Sequence, residues 1–123
     1  MANVVSFHSY KLKEGVSIPD YLLAMETLIK EFVSEQKGFI SFKHLHDRET
    51  ETWADFLVFE TMDDLNAFVS ICGKNELARK LFALGGSYDI KSYVFTVEQS
   101  FWSCKDDSIS IFKLIRQQCD STW

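Results

Sequence analysis

The chain has 123 residues, enough for one domain whose apolar core needs neither a disulfide frame nor a structural metal. Thirteen Lys plus Arg against eighteen Asp plus Glu leave a net charge of −5, and the scattered bases exclude a nucleic-acid footprint, which needs clustered positive charge. Eleven Phe, four Tyr and three Trp exceed what a small core requires and predict a second buried apolar surface, either a subunit interface or a ligand pocket.

Val4 to Leu12 is dense in β-branched and aromatic side chains and predicts a first strand. Val5, Phe7 and Ser9 fall on one face, and Val4, Ser6, His8, Tyr10 and Leu12 on the other. Lys13, Glu14 and Gly15 turn the chain. Ser17 with Pro19 and Asp20 marks a helix start, since the N–H that proline lacks is unused in a first turn. This helix carries Leu22, Met25, Ile29, Phe32 and Val33 mostly at three- and four-residue steps and packs that face on the sheet. Gly38, free to take positive φ, is placed to end it as a left-handed cap.

Phe39 to His46 reads as the second strand and Thr52 to Glu60 as the third, joined through the polar stretch Asp47 to Glu51. An even loop puts His44 opposite Asp55 and His46 opposite Trp53, on the face that carries Phe42 and Leu57; a one-residue slip dissolves both pairs. Thr61, three residues before Asp64, predicts a capped helix with Leu65, Phe68 and Val69 on one side. Cys72 and Gly73 interrupt it, and a second helical piece runs from about Asn75 to Leu84 before Gly85 and Gly86. Ile90 to Val97 is the fourth strand. Beyond Phe101 a polar stretch leads to Ile109, Ile111, Phe112, Leu114 and Ile115, helix or strand, which must cover an apolar face. The order strand, helix, strand, strand, helix, strand is the split βαβ plan, an α+β ferredoxin-like fold with an antiparallel sheet.

Cys72, Cys104 and Cys119 are odd in number and widely spaced, so reduced thiols are expected. The first residues lack the basic start and apolar run of a leader, and no segment approaches the ~20 apolar residues that span a bilayer. The expectation is a cytoplasmic protein with no membrane or nucleic-acid partner.

With its elements placed, the chain resembles the antibiotic-biosynthesis-monooxygenase-like domain of the dimeric α/β-barrel superfamily. The resemblance is carried by the opening strand VVSFHSYKLKEG, the helix end EQKGFISF, the strand WADFLVFE running into TMDDLNAF, and the closing strand IKSYVFTV. It implies a domain over residues 1–101, with residues 102–123 as an extension that packs on its own domain or on a partner subunit. It also implies a homodimer in which two βαββαβ subunits pair their sheets into a barrel, with a small apolar pocket between the helices and sheet of each.

Some such proteins oxygenate phenolic or anthrone-like polycycles without metal or flavin. The resemblance therefore implies a cofactor-independent monooxygenase acting on a small aromatic or polyketide-like compound, with no cofactor. The chemistry suits such a pocket, because a deprotonated enol or phenol supplies the electrons itself and the protein has only to orient it, exclude water and provide a base. Haem-degrading members instead carry an Asn on the first strand and a Trp and a ligating His on the second helix. Here His8 holds the place of that Asn, Phe68 falls near the Trp, and no His lies between Thr61 and Gly86, so haem degradation is not expected.

His8 is the candidate base, mid-strand on the helix-facing side, with an ordinary imidazole pKa near ~6.5. The alternative is a structural histidine held within the core or at the interface. Tyr10, Leu22, Met25, Phe32 and Phe68 are the candidate pocket wall, unless they are plain core, and Arg79 is a candidate for an anionic substrate or a solvated surface charge. His44 and His46, with Asp55 opposite, have the spacing of a strand-borne metal site, against the plainer reading of a cross-strand ion pair. The functional alternative is a non-catalytic dimeric barrel that binds a small molecule, including a stress-related one.

Overall fold

The computed structural model describes residues 2–85, 91–101 and 103. Its elements are β1 (Val4–Tyr10), α1 (Ile18–Glu31), a 3-10 turn (Val33–Glu35), β2 (Phe39–Asp47), β3 (Thr52–Phe59), α2 (Met62–Cys72), α3 (Glu76–Phe82) and β4 (Lys91–Thr96). The strands pair antiparallel in the order β2-β3-β1-β4, which is the ferredoxin-like arrangement expected of this α+β sequence. The extension at 104–123 and the start of the fourth strand at Ile90 lie outside the described residues.

Each helix begins at a side chain that replaces a missing backbone partner. Ser17 accepts from the Asp20 N–H, Thr61 from the Asp64 N–H and Asn75 from the Ala78 N–H, and a cap of this kind contributes about 1 kcal/mol. The Asn75 cap restarts the helix after Gly73 and Lys74, so α2 and α3 are separate elements.

The buried face of α1 is Tyr21, Met25 and Leu28. Leu22 lies one residue, about 100°, around the helix and is 44% exposed. Gly38 does have positive φ, but it does not cap α1: the helix stops at Phe32, the 3-10 turn follows, and Gly38 then swings the chain into β2.

Side-chain alternation divides the sheet. Val4, Tyr10, Trp53, Leu57 and Phe59 face the helices and form the core with Tyr21, Met25, Leu28, Leu65, Phe68 and Leu81. The outer side carries Phe7, Leu45, Phe56, Tyr93 and Phe95; Tyr93 stacks on Phe95 at a centroid distance of 5.7 Å, yet Phe95 is 51% exposed. Helices layer one side of the sheet and, among the described residues, nothing covers the aromatic side. Among the described residues, no helix is long and apolar enough to cross a membrane.

Candidate active site

Strand register brings four polar residues into one row across the helix-facing side of the sheet. Ser92 on β4 pairs with His8 on β1, His8 pairs with Asp55 on β3, and Asp55 pairs with His44 on β2. The expected hairpin register holds, including His46 opposite Trp53, because the four residues between Asp47 and Thr52 make an even loop.

Hydrogen bonds tie the row together. His8 Nδ1 and Ser92 Oγ are bonded at 2.6 Å. The Tyr10 hydroxyl donates to Asp55 Oδ1 at 2.9 Å, lies 3.2 Å from His44 Nε2 and is bonded to the hydroxyl of Tyr21. Tyr21, from α1, is 3.0 Å from His44 Nε2 and only 1% exposed. Tyr21 also meets Trp53 edge-on at 5.2 Å, which fixes its ring.

This polar group lies at the wall of a cavity of about 300 Å³ lined by His8, Tyr10, Tyr21, Met25, Asp55 and Leu81, with Phe82 and Gly85 beside them. A second cavity of about 450 Å³ shares His8, Met25, Asp55, Leu81 and Phe82 and extends along Phe42, Leu57 and Phe68. The two share part of their walls between helices and sheet, polar at the row and mainly apolar elsewhere, and each has the volume of a small-molecule pocket.

Burial sets the proton affinities. It pushes the Asp55 carboxyl up to about 6, against the opposing pull of the hydrogen bond from Tyr10. It lowers the pKa of His8, and it lowers that of His44 with a smaller push from His46. The Tyr10 and Tyr21 hydroxyls are raised well above the phenol range, chiefly by burial, so both stay protonated. Near neutral pH the cavity thus offers a neutral imidazole, a carboxyl close to its titration point and two fixed hydroxyl groups.

Of the sequence candidates, His8, Tyr10, Met25 and Phe68 line this space. Phe32 sits behind Phe68, with ring centroids 5.8 Å apart, and Leu22 and Arg79 are exposed and join neither cavity, since they lie off the buried stripes of α1 and α3. His46 lies on the same face one pair further along β2, outside both cavities, stacking on Trp53 at 3.9 Å with its Nε2 3.4 Å from Glu51. Among the described residues, no group of three His, Cys, Asp or Glu side chains is placed to hold a metal ion. Sequence reasoning passed over Tyr21, although it precedes Met25 by one helical turn and so shares its buried face.

The sheet order, the helical layer and the cavity between them define an α+β ferredoxin-like protein with the antibiotic-biosynthesis-monooxygenase-like fold. SnoaB, a cofactor-independent oxygenase from Streptomyces nogalater, superposes with a TM-score of 0.65 at 17% identity, over 84% of this chain and 100% of that one. The ActVA-Orf6 monooxygenase of Streptomyces coelicolor, in complex with nanaomycin D, gives 0.62 at 15% identity, over 83% and 93%. A dimeric ferredoxin-like protein from an uncultured marine organism gives 0.64 at 15% identity, over 81% and 99%. At these identities the likeness is one of fold. No protein-family model and no curated protein sequence matches the chain.

Proposed function

We propose that this protein is a cofactor-independent monooxygenase of a small aromatic or polyketide-like compound, with His8 as the base. The observation that carries the reading is the position of His8: a half-buried imidazole in the wall of a largely apolar cavity, anchored through Nδ1 to Ser92. In the tautomer whose Nδ1–H donates to Ser92, Nε2 is the nitrogen that takes the proton. The oxygenase character of SnoaB and ActVA-Orf6, which share the fold, supports the same reading.

In this scheme the substrate presents an acidic C–H, His8 takes the proton, and the carbanion, delocalised as an enolate, reduces dioxygen. Carbon bonds to oxygen, and the terminal oxygen takes the proton back from His8. Loss of the second C–H proton to the imidazole then breaks the O–O bond and releases hydroxide, protonated to water, so that a CH₂ and O₂ become C=O and H₂O. The substrate supplies every electron, and burial keeps His8 neutral and able to accept a proton near pH 7.

The outer aromatic side of the sheet supports a homodimer, as does the dimeric neighbour of the same fold. In the barrel reading two such sides close on each other, in a cytoplasmic protein. Sedimentation equilibrium tests the dimer, and a monomer at micromolar concentration contradicts it. Oxygen uptake with a panel of electron-rich phenols and anthrones tests the enzyme: uptake that saturates with substrate is expected. Saturable binding without uptake would instead make the protein a small-molecule binder.

A further inference from the structure

Asp55 is a polar group of the cavity wall whose hydrogen-bond partners, among the described residues, lie on one oxygen alone. Its Oδ1 accepts from Tyr10 and faces His44 Nε2 at 3.8 Å, while Oδ2 receives no hydrogen bond from any described residue. The side chain is 24% exposed, and the opening is the cavity itself. Tyr10 cannot turn to serve both oxygens, because Tyr21 and His44 hold its hydroxyl in place. Oδ2 is not closed off from solvent, so a ligand that displaces the water of this cavity must bring a donor of its own or leave the carboxylate unpaired.

We infer that Asp55 determines specificity by accepting an O–H or N–H from the ligand at Oδ2, so that the cavity selects hydroxylated aromatics over their ethers and parent hydrocarbons. The inference deepens the oxygenase reading and rests on the same cavity being the substrate site. Asp55 and His8 are direct cross-strand partners, whose Cβ atoms lie about 4.5–5.5 Å apart. A ligand that reaches both therefore carries its donor and its acidic carbon on one ring or on adjoining rings. His44, Tyr10 and Tyr21 act through Asp55, as positioning residues that fix the carboxyl plane.

The test is calorimetric binding of 2-naphthol and 2-methoxynaphthalene, two probes of one shape that differ in the donor. Wild-type protein is expected to bind the naphthol about 10- to 100-fold more tightly, the range for a hydrogen bond to a charged acceptor. Asp55→Asn is expected to bring the two affinities within a factor of about three, with thermal melting as the check on its fold. Equal wild-type affinities, no binding of either probe, or a preference that persists in Asp55→Asn with the fold intact would each overturn the inference. The wild-type comparison stands even if the variant does not fold. The oxygenase reading fails separately: a naphthol preference lost in Asp55→Asn without oxygen uptake from any substrate leaves the role of Asp55 in place and removes the enzyme.

Discussion

Asp55 on β3 and His44 on β2 are cross-strand partners with Oδ1 and Nε2 3.8 Å apart, and the Tyr10 hydroxyl reaches both groups. Burial alone accounts for the rise of Asp55 to about 6, since the Tyr10 bond acts in the opposite direction. This carboxyl must lose its proton in a half-apolar wall as the pH rises to neutrality.

The consequence is a signed pH effect on stability. A carboxyl raised above its unfolded pKa contributes most below that value, about 4, and the contribution is lost as pH rises through the folded value. Asp55→Asn removes the titration and is expected to stabilise the protein by about 3 kcal/mol at pH 8 and by little at pH 4. The facing groups are His8 from β1, His44 from β2 and the hydroxyls of Tyr10 and Tyr21. Both histidines are lowered by burial, so their own contribution falls as pH drops through ~6.5; it is common to both proteins and largely cancels in the difference. Urea denaturation at pH 4, 6 and 8 checks this, and a difference independent of pH contradicts it.

His8→Ala separates chemistry from folding. The imidazole is half-buried and has one side-chain hydrogen bond, to Ser92, so the expected loss of stability is about 1 kcal/mol. Turnover is expected to fall about 10²- to 10⁴-fold, the usual contribution of a positioned base. Oxygen uptake and thermal melting on one preparation provide both values.

The turn into β2 makes a stability prediction that does not depend on function. Gly38 has φ of +82°, and a Cβ built there meets the Cβ of Asp64 at 2.7 Å. Gly15 has φ of +84° with nothing within 4 Å. Gly15→Ala should therefore cost only the backbone strain, about 1 kcal/mol, and Gly38→Ala about 2–3 kcal/mol because the start of α2 must move as well. Chemical denaturation of the two variants measures the gap between them.

Much of this fold was legible because period-two and period-3.6 patterns do not mimic one another over runs as long as Val4 to Tyr10 or Ile18 to Glu31. The hairpin register followed from the parity of a polar loop, and with it the pairing of His44 and Asp55. What escaped was convergence between distant segments. The ferredoxin-like plan already put β1 between β3 and β4, but the β1–β4 register that sets Ser92 beside His8, opposite Asp55, joins segments more than 80 residues apart and no local pattern carries it. Tyr21 was hidden for a different reason: beside Leu22, which is the more apolar of the two, a tyrosine reads as the rim of a stripe until a buried partner for its hydroxyl is known. Gly38 was placed correctly as a positive-φ residue and assigned the wrong job, because the 3-10 turn at Val33–Glu35 has no distinct periodicity in so few residues.

The central claim is oxygenation in the His8 cavity with electrons drawn from the substrate, and isotope labelling tests it most directly. The protein would be incubated with anthrone, whose enol carries a hydroxyl, under ¹⁸O₂ in chelator-treated buffer without added flavin or metal. The expected result is one O₂ consumed per anthrone, one labelled oxygen in the new carbonyl and a rate abolished in His8→Ala. Saturable binding of anthrone, with oxygen uptake no faster than in buffer alone, would contradict the claim.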